Sequence, residues 1–153
     1  MTLAKGARGV RSTPSSRWRI AASTSPCSVQ RRARVMDAIG TEAIAIVQGA
    51  PGVDGFKVFR QSNEFYYLTG IESANSYLLL DGRSRRTSVY LQHRNPSWER
   101  TVGPLVSAED VELVKARTGV DDVQSVEMLA RNLAPMQIHH PAPVIFVPFS
   151  PQE

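Results

Sequence analysis

Three histidines, one cysteine and scattered serines and carboxylates are the side chains of this 153-residue chain with catalytic or ligating potential. His139 and His140 are neighbours, so an extended segment points them to opposite faces and they do not close on one ion. His93 is far from both in sequence, and Cys27 has no histidine near it to form a thiolate–imidazole pair. Ser62, Ser107 and Ser125 each precede a helix-like stretch and read as N-caps rather than nucleophiles. Asp121 and Asp122 read as a turn before a short strand. The chain carries no Gly-x-x-x-x-Gly-Lys-Ser/Thr phosphate loop and no Gly-x-Gly-x-x-Gly turn. The expectation is therefore a chain with no catalytic residue and no metal site of its own.

The elements that would position these residues alternate between helix and strand. Residues 29–39 predict a helix with Val29, Ala33, Met36 and Ile39 near one face, Arg31, Arg32 and Arg34 mostly off it, and Gly40 as its stop. Residues 43–47, AIAIV, predict a strand buried on both faces, and 49–55 a loop. Ser62 opens a short helix over 63–69 that ends at Gly70. Residues 76–80 and 87–91 predict an antiparallel pair joined through Asp81-Gly82 and a solvated basic tip, Arg83, Arg85 and Arg86. Ser107 caps a helix with acids early and bases late, as the helix dipole favours, and Ala108, Val111 and Val114 mark its inner face. A last helix starts at Ser125, buries Val126, Leu129, Ala130 and Leu133, and ends at Pro135. Residues 144–147, VIFV, form a final strand. This alternation predicts an α/β fold, a mixed β-sheet flanked by helices.

Charge divides the chain into two parts. Residues 1–36 hold eight basic residues and no acid, whereas 37–153 hold ten basic and fourteen acidic residues. The folded body is thus mildly acidic and the high pI belongs to a basic arm over 1–28. That Arg- and Ser-rich arm is open to three readings: a disordered or miscalled start, an organellar transit peptide, or a phosphate-binding arm. Trp18 is its only aromatic, which leaves a nucleic-acid role without stacking support. No apolar run approaches the roughly 20 residues that span a bilayer. The single Cys27 excludes an internal disulfide. The location expected is cytoplasmic, or mitochondrial if the arm is a transit peptide.

Residues 59–70, FRQSNEFYYLTG, are the most informative segment. Phe59, Phe65 and one or both of Tyr66 and Tyr67 are expected to build the core between the short helix and the sheet. Arg60 is expected to pair with Glu64 or Glu99. The segment resembles the Arg-x-x-x-x-Phe-x-Tyr-Leu-x-Gly stretch of the Xaa-Pro aminopeptidase (aminopeptidase P) N-terminal domain, related in outline to creatinase and prolidase. Phe59, Arg60, Phe65, Tyr67, Leu68 and Gly70 carry that resemblance. The helix RRARVMDAIG, the strands AIAIVQGA and SYLLLDG, and the stretches VYLQHRNPSWER and VSAEDVELVKARTGVDDV follow in the family's order. Where many members read Glu-x-Trp-x-Gly, this chain reads Glu99-Arg100-Thr101-Val102-Gly103, with Trp98 directly before the acid.

The resemblance implies a domain over 29–150, with 151–153 beginning a linker to a catalytic pita-bread domain absent from this chain. The family's enzymes remove an N-terminal residue preceding proline and use two metal ions, usually manganese. Two ions polarise the scissile carbonyl and supply a hydroxide at neutral pH. Their ligands, two Asp, one His and two Glu, lie in the catalytic domain and have no counterpart here. The resemblance further implies homo-oligomer contacts, a covalent or split-gene catalytic partner, and Trp98, Glu99 and Gly103 as access-loop residues. The alternative class is a stand-alone, non-catalytic interaction or dimerisation module. No nucleic-acid or membrane partner is expected.

Overall fold

The computed structural model describes residues 25–53, 58–138 and 144–148, and of 25 and 135–138 the backbone alone. The His139–His140 pair and part of the loop expected over 49–55 lie outside the described residues. The elements in order are α1 (Ser25–Ile39), β1 (Ala43–Gln48), α2 (Asn63–Thr69), β2 (Tyr77–Asp81), β3 (Arg86–Leu91), α3 (Pro96–Val102), α4 (Val111–Thr118), β4 (Asp122–Ser125), α5 (Met128–Ile138) and β5 (Val144–Phe146). The strands form a mixed sheet in the order β4-β3-β2-β1-β5. β2 is antiparallel to β1 and β3, while β5 runs parallel to β1 and β4 parallel to β3.

The register sorts side chains to two faces. Ala45, Val47, Leu78, Leu80, Val89, Leu91 and Val123 meet Met36 of α1, Phe65 and Leu68 of α2 and Val114 of α4 in the main core. Ile44, Leu79 and Tyr90 face the other way, against Met128, Leu129 and Leu133 of α5. Because β1 to β3 are covered on both faces, they read as apolar runs rather than as an alternation. The α/β arrangement is the one expected.

Several local expectations change. α1 starts at Ser25 rather than at 29, because Pro26 sits in the first turn, where no intrahelical donor is needed. Cys27 is thus an exposed residue of this helix. Ser62 is extended at the N-cap of α2 but makes no capping bond; its Oγ donates to the Gln48 carbonyl at 3.0 Å. Ser107 does not cap α4. Asp110 takes that place, and its carboxylate accepts from both the Ser107 amide (3.0 Å) and hydroxyl (2.7 Å), which closes a turn before the helix. Ser125 ends β4, and α5 begins only at Met128. Pro135 does not end α5, which continues to Ile138. A proline there removes one backbone donor, a loss of about 3 kcal/mol relative to alanine in a helix interior, and the helix carries it.

The largest correction concerns Arg32. Instead of lying off the inner face of α1 it is 2% exposed. Its guanidinium donates to the carbonyls of Leu68 (2.8 Å), Thr118 (2.8 Å) and Gly119 (2.8 Å). These carbonyls lie at the C-terminal ends of α2 and α4, Gly119 being the C-cap of α4, where carbonyls lack intrahelical partners and carry the negative end of each helix dipole. One arginine on α1 therefore ties the C-termini of two other helices. Burial lowers its pKa, and Asp121 opposes that shift.

Candidate functional site

A cleft of about 490 Å³ opens at one end of the sheet, between the segments after β1 and β3. Its size falls within the range of small-ligand and peptide-side-chain pockets. Val58 and Phe59, from the segment before α2, line it together with Trp98, Val102 and Leu105 of α3 and the segment after it, and with Ser73 and Val106. Gln92, His93, Arg94 and Asn95 line the side where β3 leads into α3. Trp98 is 44% exposed and Val58 81%, so the walls present apolar surface to solvent.

Helix α3, which carries Trp98 and Glu99, was expected as a loop. The Asn95 Oδ1 accepts from the Ser97 and Trp98 amides, each at 3.1 Å, and Pro96 takes the first turn. Asn followed by Pro is a helix-start signal, and it was present in NPSWER. Glu99 does not point its carboxylate at a partner arginine. Its Oε1 accepts from the Leu105 amide at 3.1 Å and folds the exit of α3 back onto the cleft. Gly103 has φ of 88° and donates its amide to the Glu99 carbonyl at 2.9 Å. Glu99 and Gly103 thus shape the wall on which Trp98 stands.

The segments that carry Val58, Phe59 and Ser73 are held by Gln61, a further residue of FRQSNEFYYLTG. Its Oε1 accepts from the Ala50 amide (2.6 Å) and the Ser62 amide (3.0 Å), and its Nε2 donates to the Ser73 carbonyl (2.8 Å). One side chain thus ties the segment after β1 to the segment before β2. No local pattern announces it, because its partners are fixed only by the fold.

At the rim, His93 Nδ1 lies 2.7 Å from Glu109 Oε1 and its Nε2 lies 3.6 Å from Glu127 Oε2. The Arg94 amide donates to the other Glu109 oxygen at 3.0 Å, and the Arg94 guanidinium pairs with Asp110 at 2.6 Å. The hydrogen bond from His93 holds the Glu109 carboxyl down to about 2. The same bond, helped by the charges of Glu109 and Glu127, raises the His93 pKa above its ordinary value. The two ring nitrogens face different carboxylates, so His93 bridges α4's approach to the β4–α5 turn. The three groups do not converge on one point. Among the described residues no group of three or more His, Cys, Asp or Glu is arranged to hold a metal ion.

The family-motif residues are not gathered at the cleft. Phe59 lines it, whereas Phe65 is fully buried in the main core and Leu68 and Gly70 are buried with α2. Gly70 adopts φ of 70° and donates to the Tyr66 carbonyl at 2.7 Å, which closes α2. The expectation of an aromatic core is corrected for the other three rings. Tyr66 and Tyr67 are exposed and Phe59 is only partly covered, because α2 has room to turn one ring, Phe65, toward the sheet. Tyr67 instead stacks under Arg31, whose guanidinium carbon is 4.0 Å from the ring centroid. Arg60 is exposed and makes no ion pair with Glu64 or Glu99. The basic hairpin tip is partly neutralised, Arg83 by Asp81 (3.3 Å) and Arg85 by Asp37 (2.8 Å).

Comparison with known proteins fits this architecture. Residues 28–145 match the family described as "Aminopeptidase P, N-terminal domain". A curated Pyricularia oryzae protein, "Probable Xaa-Pro aminopeptidase", is 30% identical over 125 residues, which make up 78% of this chain and 23% of that protein. A Fusarium vanettenii protein, "Probable Xaa-Pro aminopeptidase PEPP", is 36% identical over 78 residues, 47% of this chain and 17% of its own length. The chain therefore spans about a quarter or less of the curated relatives it matches. Among solved structures, an Escherichia coli aminopeptidase P with a Glu383Ala substitution superposes with a TM-score of 0.63 at 18% identity, covering 75% of this chain and 27% of that one. A Bacillus anthracis chain assigned to aminopeptidase P superposes with a TM-score of 0.72 at 21% identity, covering 85% and 32%. With the match running from α1 into β5, across the whole described sheet, this chain belongs to the aminopeptidase P N-terminal domain family.

Proposed function

We propose that this chain serves as the N-terminal domain of a Xaa-Pro aminopeptidase. In this reading it walls the approach to a dinuclear metal site held by a separate catalytic domain. The supporting observation is the family match over 28–145 in a chain that covers 23% of its Pyricularia relative. Manganese is the metal we propose for that site, where a pair of ions would activate water for attack on the bond before proline. The described residues of this chain do not fit such a pair: the carboxylates nearest a histidine, Glu109 and Glu127, are spread to either side of the ring. The role left to this chain is steric and positional. Trp98 and Phe59, which both line the cleft, supply apolar surface for peptide side chains. We further propose that the assembled enzyme is a homo-oligomer and cytoplasmic, with mitochondrial import as the alternative if residues 1–28 act as a transit peptide.

The direct test is hydrolysis of Xaa-Pro peptides with added Mn²⁺. The 153-residue protein alone should release no N-terminal residue above background. A chimera in which it replaces the matched region of the Pyricularia protein should cleave Xaa-Pro peptides in a chelator-sensitive manner. Chelator-sensitive cleavage by the 153-residue protein alone would sink this reading, as would a folded but inactive chimera. Fractionation with N-terminal sequencing of the endogenous protein decides the location.

A further inference from the structure

β5 is the last strand in the sheet order, and among the described residues no strand lies beside its outer edge. Four large apolar residues in succession are exposed there: Val144 (59%), Ile145 (42%), Phe146 (46%) and Val147 (67%). Pairing of Val144 with Ala43 and Phe146 with Ala45 places these two on the face of α1, α2 and α4, while Ile145, opposite Ile44, faces the side of α5. Apolar surface is thus open on both faces of the edge. Pro143 and Pro148 bound the strip, but within it an edge strand of this composition carries no charge, and its apolar side chains are a template for a partner. A lone domain with such an edge is prone to association, so the surface needs a cover.

The longer relatives show what polypeptide is available to cover it. The match to the N-terminal domain family runs to residue 145, inside β5. In the Pyricularia and Fusarium proteins the matched regions make up 23% and 17% of the length, so most of each chain lies elsewhere. We infer that the outer edge of β5, with Val147, is the docking strip for the domain that follows this one in its longer relatives. The inference rests on the N-terminal-domain reading above, and it names the contact surface that reading leaves open. The partner supplies apolar side chains to both faces of β5, or an added strand along its free edge.

Amide hydrogen exchange tests this in the isolated 153-residue protein and in the Pyricularia chimera. Protection of residues 145–147 should rise at least about tenfold in the chimera, as expected when apolar anchors of an interface become buried. In the chimera carrying Ile145→Asp and Phe146→Asp, Val147 should return to the rate seen in the isolated protein. Amides of β2 and β3 report that the domain stays folded in each case. An active chimera whose residues 145–147 exchange as in the isolated protein overturns the docking strip and leaves the N-terminal-domain reading intact. A folded chimera that is inactive and unprotected overturns both.

Discussion

Arg32 donates a hydrogen bond to the carbonyl of Thr118 at 2.8 Å, although the two residues are 86 positions apart in the chain. The same guanidinium also holds Leu68 and Gly119, so α1, α2 and α4 are tied at one buried point. Replacing Arg32 with Met keeps the apolar stem but leaves three carbonyls short of donors. The expected loss is about 3 kcal/mol in urea unfolding, since each bond from a charged donor contributes roughly 1.5–3 kcal/mol. Arg32→Lys should fall between the two, because a single ammonium cannot span the three acceptors that the planar fork reaches. A loss below about 0.5 kcal/mol for Arg32→Met would mean that the clasp contributes little.

The adjacent aromatic residues separate cleanly. Phe65→Ala removes a fully buried ring and should destabilise by about 3–5 kcal/mol. Tyr67→Ala removes an exposed ring under Arg31 and should lose only about 0.5–1 kcal/mol. In a double-mutant cycle, Arg31→Ala combined with Tyr67→Ala should lose less than the sum of the two, because each change already removes the stacked pair. Additive losses would show that the stack is energetically empty.

His93 and Glu109 set a pH window. The Glu109 pKa is lowered from 4.5 to about 2, so its contribution is complete above 4.5 and is lost as pH falls through about 2. The His93 pKa is raised above 6.5, so its contribution is complete below 6.5 and is lost as pH rises through the raised value. The pair therefore supports the fold most fully between pH 4.5 and 6.5. An NMR titration should place the His93 midpoint above 6.5 in the native protein and lower it in Glu109→Gln. A midpoint unmoved by that substitution would show that the 2.7 Å contact is not formed in solution.

Gly82 is required by space rather than by φ. A Cβ there would collide with the Gly40 carbonyl oxygen and approach that of Ala43 to 2.9 Å. Both obstacles are backbone, so neither can swing aside. Gly82→Ala should therefore lose about 1–3 kcal/mol by overpacking and separate the hairpin from the end of α1. Thermal unfolding of the variant checks this, and an unchanged midpoint would contradict it.

The pattern of residues 76–91 was readable because strand, turn and returning strand are local: three apolar residues, Asp81-Gly82, then a second apolar run. Gly40 and Gly70 were readable for the same reason, since a left-handed residue after a helix is dictated by the helix itself. α3 stands where the family resemblance implied a loop, and its start is signalled locally by Asn95 and Pro96. The cleft was only half legible. Phe59, Trp98 and Glu99 stood out, but Gln61 and the His93–Glu109 contact did not, because each depends on residues that are neighbours only after folding.

By itself the sequence determined the order and type of the principal elements and the two-sided burial of β1, since each follows from periodicity and terminators along one stretch of chain, and it carried the family through the resemblance of FRQSNEFYYLTG. The tertiary structure alone decided which polar residue is buried and which aromatic is not. Arg32 is drawn inward by carbonyls 36 and 86 residues away, while Tyr67, beside the buried Leu68, is turned to solvent. A helix face does not declare its partner, and the Arg32 guanidinium lies on an inner face because two other helices end against it.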